Sequence, residues 1–309
     1  MEVFVVMTGF RIHFYLIALT VAIPFWSTGD ELKSGEFFTQ QSWSQETDFD
    51  RLWLVNLPQN AEPGQKLPVF LFLHGNGGNA RAAMMGFLRR HPRMAESYIL
   101  VFPQGYQKSW NIISERSRAN DLGFIEEIIE TLATFDNVDP GNFSVMGSSN
   151  GAALVNQIAI ESKNPRILNY ITAVSQLNGF QHDGTGFKAK GAENDYGKKV
   201  SPLKGKRILN ISGVEDRLVP YNGGPSRVIP AKGGKLPFLD AEESIFLWAR
   251  QMGYQGEKLS KPTRAEGDKE IFSYLDGDVI HYKISGAGHG ATGALTETEL
   301  LAFLTGSDQ

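Results

Sequence analysis

The sequence predicts an α/β domain in which a mostly parallel central sheet carries helices on both faces. Three observations lead there. Residues 67–73 (LPVFLFL) and 98–102 (YILVF) are continuous apolar runs, as expected of strands buried on both faces. Strand patterns alternate with helix patterns through the second half of the chain, the order that crossover connections require. No internal repeat, low-complexity tract or break in composition divides the 309 residues. A single domain is therefore expected from residue 30 onward, although length alone would allow two.

The elements follow in order. Residues 48–57 (DFDRLWLVNL) alternate enough for an early strand ahead of the buried run 67–73. Residues 79–90 read as a helix, ended by His91-Pro92 because proline cannot continue one. Strand 98–102 comes next. Residues 120–135 are amphipathic, with Leu122, Ile125, Ile128, Ile129 and Leu132 at helical spacing. Residues 143–146 form a short strand and 151–162 a helix. Further strands are expected at 170–177 and 207–212. Residues 181–205 and 222–238 are rich in glycine and lysine and read as long surface loops. Helix 241–252, strand 278–284 and a closing helix 296–304 complete the pattern.

A hydrophobic share of 41% supports a full core, and the net charge is −4. No basic stripe is visible, so nucleic acid is not an expected partner. The chain has no cysteine, which removes a thiol nucleophile, cysteine-ligated zinc and any disulfide scaffold. Near the N-terminus, Arg11 and His13 precede an apolar run at 14–26, followed by Ser27-Thr28-Gly29. That run suits a signal-peptide core and falls short of the roughly 20 residues a membrane span needs. Residues 1–29 are expected to be a signal peptide, making the protein secreted or periplasmic, with no membrane contact beyond that segment. An uncleaved anchor and a buried core element are the alternatives.

Chemistry concentrates in residues 145–154 (VMGSSNGAAL), where a strand pattern turns into a helix pattern through Gly147, Ser149 and Gly151. A serine hydroxyl is a weak nucleophile that needs an exposed position and a neighbouring base. A sharp strand-to-helix turn gives the exposure, and flanking glycines let strand and helix approach closely. Gly-x-Ser-x-Gly alone is a weak pattern, and a plain glycine turn would explain it. Its place between a strand and a helix is what raises it. Ser148 is the alternative nucleophile if the turn is shifted by one residue.

Of six histidines, His289 in the Gly-rich stretch SGAGHGATG follows a strand and precedes the last helix, where an imidazole can reach over a serine. His13 lies in the leader, His91 ends a helix, His182 follows a strand, and His281 sits mid-strand as a surface or packing residue. The acid should end an intervening strand. ILNISGVEDRLV supplies Asp216, with Glu215 as runner-up and Asp183 and Asp240 weaker. The order Ser149…Asp216…His289 fits a triad in which the carboxylate fixes the imidazole tautomer. Two solvated loop carboxylates are the bland alternative. The oxyanion needs two backbone donors: Asn150 after the serine, and Asn76, or Gly77, in the His74-Gly75-Asn76-Gly77-Gly78 loop after the buried strand. No metal or organic cofactor is called for.

With these stretches in view, the chain resembles the α/β-hydrolase superfamily. More narrowly it is similar to secreted esterases grouped with poly(3-hydroxybutyrate) depolymerases and feruloyl or acetylxylan esterases. The stretches LPVFLFLHGNGGN, VFPQGYQKSWN, NVDPGNFSVMGSSNGAAL, GVEDRLVPYNGG and SGAGHGATG carry the resemblance, and NDLGFIEEIIETL adds to it; together they spread over about residues 50–305. The resemblance implies an α/β-hydrolase fold, a serine carboxylester hydrolase and substrate contact at Trp110 and Asn111; ordinary packing is the alternative for Trp110. It implies an ester substrate: a feruloyl or acetyl group on polysaccharide, or a hydroxyalkanoate polyester. A non-catalytic binding protein on the same fold and a serine peptidase are the rival classes. Gly290-Ala291-Thr292 after the histidine departs from the aromatic and proline residues common in relatives, and their disulfides cannot form here.

Overall fold

Ten strands join into one sheet among residues 29–306, the residues that the computed structural model describes. The leader expected at residues 1–29 lies outside the described residues apart from Gly29. The chain opens with β1 (Gly35–Trp43), β2 (Glu46–Asn56) and β3 (Leu67–Leu73), then α1 (Ala80–Arg90), α2 (Pro92–Ser97) and β4 (Ile99–Pro103). It continues through α3 (Asp121–Leu132), β5 (Val138–Ser148), α4 (Asn150–Glu161) and β6 (Ile167–Ala173). The short β7 (Lys188–Ala189) and β8 (Lys198–Lys199) precede β9 (Arg207–Gly213), β10 (Asn222–Ala231), β11 (Gly234–Asp240) and α5 (Ala241–Met252). The last elements are β12 (Arg264–Glu266), β13 (Lys269–Tyr274), β14 (Val279–Ile284) and α6 (Glu297–Thr305).

The sheet runs β1-β2-β4-β3-β5-β6-β9-β14-β13-β12. Its centre, from β4 to β14, is parallel, and both edges are antiparallel. Alternate side chains of the central strands feed two separate cores, as the two-step strand repeat demands. Val69, Leu71 and Val145 pack under α3, α4 and α5, while Phe70 and Met146 pack under α1, α2 and α6. This explains why the runs 67–73 and 98–102 are apolar at every position. The starts of α1, α3, α5 and α6 are set by side-chain caps. Asn79, Asn120 and Asp240 accept the N–H of the third residue on, and Thr296 with Glu299 forms a reciprocal capping box.

The topology places the site. From β3 the chain crosses to β4 on one side, and from β5 to β6 on the other. The loops leaving β3 and β5 therefore diverge, and a crevice opens above their carboxyl ends, the usual ligand position in such sheets.

Several expectations need correction. Residues 222–238 are a β10–β11 hairpin and not a surface loop, with Leu236 and Phe238 buried. In residues 181–205, Phe187 and Tyr196 belong to the core, so that stretch is only partly a surface loop. The strand expected at 170–177 runs Ile167–Ala173. Edge strands β1 and β12, strand β13 beside the latter, and helix α2 were not expected, because their sequences carry weak or mixed periodicity.

Candidate active site

Ser149 sits between β5 and α4 with φ 53° and ψ −117°, a conformation non-glycine residues rarely hold. The turn is fixed from outside: Ser149 N–H donates to the Ala173 carbonyl at 2.9 Å. Its glycines are required by contact. A Cβ on Gly147 would lie 2.3 Å from the Gly151 carbonyl, and one on Gly151 would lie 2.2 Å from the Leu73 carbonyl. Strand, turn and helix thus meet backbone to backbone, which lifts Ser149 above the sheet.

The strand ends bring the other two groups to it. β9 and β14 are parallel neighbours, and their following loops are tied by Val214 N–H to the Ile284 carbonyl and Glu215 N–H to the Ala287 carbonyl. Asp216 is 7% exposed; its Oδ1 accepts the Leu218 and Val219 N–H groups at 2.8 and 2.9 Å. Its Oδ2 lies 2.6 Å from His289 Nδ1, and His289 Nε2 lies 2.8 Å from Ser149 Oγ. Asp216, His289 and Ser149 therefore form one hydrogen-bonded series, although they lie far apart in sequence. With Nδ1–H donated to the carboxylate, Nε2 is left to take the serine proton.

The alternatives lie elsewhere. The Ser148 hydroxyl faces Thr292 at 3.4 Å. Glu215 is exposed. Asp183 accepts the N–H groups of Thr185 and Gly186, and Asp240 caps α5. His182 accepts the Gly184 N–H, and the His91 ring packs at a tilt against Phe87, centroids 4.4 Å apart. His281 is fully buried, between Asn210 Oδ1 at 2.8 Å and the Tyr221 hydroxyl at 2.9 Å. That burial pushes its pKa down to about 3, so it is a neutral core residue and not a surface one.

Ser149 and His289 open onto a cleft of about 930 Å³ that Asn76 and Asn150 also line. No protein acceptor among the described residues takes the N–H of Asn76 or Asn150. The Gly77 N–H, in contrast, is committed to the Lys108 carbonyl at 2.7 Å. His74 braces the loop before Asn76. Its Nδ1 reaches the Gly75 carbonyl at 2.8 Å, which makes Nε2 the acceptor of the Gly105 N–H at 3.1 Å. Burial lowers the His74 pKa, in keeping with this neutral form.

Leu218, Val228, Ile229, Leu236 and Phe238 give the cleft an apolar wall, most of it from the β10–β11 hairpin. Gln107, Lys108, Ser114 and Arg116 form a polar one. Trp110 and Asn111 are not in either wall. They are 0% and 2% exposed, and the substrate contact expected of them is corrected. Trp110 Nε1–H donates to the His74 carbonyl at 2.7 Å, and Asn111 N–H donates to Asp121 Oδ2 at 2.6 Å. They hold the loop beneath the cleft. Sequence reading missed Glu115, which sits in no motif, and the apolar hairpin, whose glycines and lysines mask its inward-facing residues. Among the described residues, no three His, Asp or Glu side chains converge to hold a metal ion.

No family model matches the sequence. Over 242 residues the chain is 25% identical to feruloyl esterase B of Piromyces equi, an alignment covering 76% of this chain and 42% of that protein. The chain thus spans less than half the length of that relative. Among solved structures it is similar to an acetyl xylan esterase from Aspergillus awamori, with TM-score 0.52 and 14% identity over 77% of this chain and 89% of that one. A thermostable esterase gives TM-score 0.54 and 13% identity over 88% of this chain and 62% of its own. The chain has the α/β-hydrolase fold, and its sequence is similar to that of a feruloyl esterase.

Proposed function

We propose that the chain is a serine carboxylester hydrolase acting on feruloyl or acetyl esters of polysaccharide. The hydrogen-bonded series Asp216–His289–Ser149 at the cleft floor carries this reading. His289 Nε2 takes the Ser149 proton as Oγ attacks the ester carbonyl. The developing oxyanion is held by the Asn150 and Asn76 N–H groups, each worth about 3 kcal/mol in sites of this kind. The tetrahedral intermediate collapses, the alcohol leaves with the proton from His289, and Ser149 stays acylated. Water then repeats the sequence with His289 as base and releases the acid.

Cleft shape supports the substrate class. The apolar wall suits an aromatic acyl ring, and the polar wall suits a hydroxyl-rich alcohol. Secretion by way of the 1–29 leader belongs to the same proposal; an N-terminus near residue 30 on exported protein is the outcome that supports it. The main test is hydrolysis of p-nitrophenyl acetate by wild type and Ser149→Ala, then a panel of methyl ferulate, acetylated xylan and a hydroxybutyrate oligomer. Turnover lost in Ser149→Ala, with methyl ferulate or acetylated xylan preferred, is expected. Undiminished turnover in that variant would refute the mechanism, and a preference for the hydroxybutyrate oligomer would make the chain a polyester depolymerase.

A further inference from the structure

The Asn150 backbone supplies a donor to the proposed oxyanion, but its side chain is occupied differently. Oδ1 accepts the Trp110 N–H at 2.7 Å and the Ser109 hydroxyl at 3.3 Å. Nδ2 donates to the Trp110 carbonyl at 3.1 Å and to Glu115 Oε1 at 3.2 Å. Every hydrogen-bonding position of the amide is filled. The other Glu115 oxygen, Oε2, accepts three successive N–H groups, from Ile112 at 2.9 Å, Ile113 at 2.6 Å and Ser114 at 3.0 Å.

Three backbone donors already satisfy a carboxylate that does no more than close a turn. The bond from Oε1 to Asn150 goes further and joins that turn to the nucleophile elbow. The connection matters because only one half of the peptide between Ser149 and Asn150 is held by backbone: its carbonyl accepts the Ala153 N–H at 3.0 Å, while its N–H has no protein acceptor among the described residues. Asn150 is the first residue of α4, where no helical acceptor exists for the N–H. Ser149 before it is strained, so relaxation there would swing that N–H away. Trp110, the residue the Asn150 amide grips at both ends, also donates Nε1–H to the carbonyl of His74, at the start of the loop that carries Asn76. One brace therefore reaches both expected donors.

We propose that Glu115 and the Asn150 side chain are positioning residues that hold the Asn150 N–H in place for the oxyanion. This rests on the esterase reading. Asn150→Ala keeps the backbone donor and removes only the side-chain link, and Glu115→Gln sets an NH2 group against the Asn150 amide or the turn donors. The experiment uses the full chain with p-nitrophenyl acetate. Wild-type turnover that vanishes in Ser149→Ala comes first; its absence sinks the esterase reading itself. Given that turnover, each single variant should lower kcat about 10- to 100-fold with KM nearly unchanged, below the roughly 100- to 1000-fold loss of a whole donor. The double variant should be no worse than the poorer single, because both cut one link. Wild-type kcat per folded molecule, or losses that multiply in the double variant, would overturn the proposal. Alanine is favourable in a first helical turn, so if Glu115→Gln fails to fold, the kcat and KM of Asn150→Ala decide alone.

Discussion

One methyl group at Gly151 tests the close approach on which the elbow is built. A Cβ there would stand 2.2 Å from the Leu73 carbonyl oxygen, 2.6 Å from the His74 carbonyl oxygen and 2.7 Å from the Leu73 carbonyl carbon. Real Cβ contacts essentially never fall under 3.0 Å. The obstructing atoms are backbone of a central strand and cannot swing aside, so the start of α4 must withdraw by about 0.8 Å in a core with no slack. Ser149 and Asn150 move with it. A misplacement of about 1 Å at reacting groups costs on the order of 100-fold in rate. Overpacking of this kind costs about 1–3 kcal/mol, or roughly 2–12 °C in Tm for a domain of this size. Gly151→Ala should show both effects in p-nitrophenyl acetate kinetics and calorimetry. Gly86→Ala is the control, since a Cβ in that helical position meets nothing within 4 Å. It should be active and slightly more stable, by up to about 1 kcal/mol. A Gly151→Ala protein with wild-type kcat and Tm would refute the reasoning.

Other predictions follow from single groups. Asp216→Asn keeps an acceptor for the Leu218 and Val219 N–H groups but loses the charge that fixes His289; kcat should fall by about 10,000-fold with Tm little changed, and a loss under tenfold would remove Asp216 from the mechanism. Asp121→Ala strands Arg51, whose guanidinium is 1% exposed and 2.6 Å from that carboxylate; about 3–5 kcal/mol should be lost in urea unfolding, and a loss below 1 would contradict the buried pair. His281 has its pKa depressed by burial to about 3, below the unfolded value near 6.5. Its unfolded form therefore binds a proton that the folded form refuses. Its contribution is complete above about pH 6.5 and falls by about 1.4 kcal/mol per unit as pH drops toward 3. His74, His91 and His182 are shifted the same way by burial, so urea midpoints should fall from pH 7 to pH 5, and less steeply in His281→Gln. Equal midpoints at both pH values would contradict this.

The parallel centre of the sheet was legible because burial on both faces writes itself into sequence as uninterrupted apolar runs, such as Val69 to Leu73. Helix boundaries were legible where a cap marks them, as at Asn79, Asp240 and Thr296. Ser149, Asp216 and His289 could be picked out because each follows a strand pattern, and parallel strands end on one side of the sheet. What sequence concealed has a common cause. Trp110 and Glu115 lie in an irregular loop whose roles come from tertiary hydrogen bonds across 35 or more residues, to His74 and Asn150, and no periodicity reports such bonds. Edge strand β1 buries little on its outer side, so its pattern is diluted. The hairpin of β10 and β11 turns Leu236 and Phe238 inward in alternation with exposed Lys235 and Pro237, and composition alone reads that mixture as a loop.

The most direct test of the shared meeting point of residues 149, 216 and 289 is stoichiometric labelling with diisopropyl fluorophosphate, followed by peptide mass mapping of wild type and His289→Ala. The expected result is one phosphoryl group on Ser149 in the wild type, in step with loss of esterase turnover, and slow or absent labelling in His289→Ala. Labelling at another residue, or reaction of Ser149 at the same rate without His289, would contradict the account.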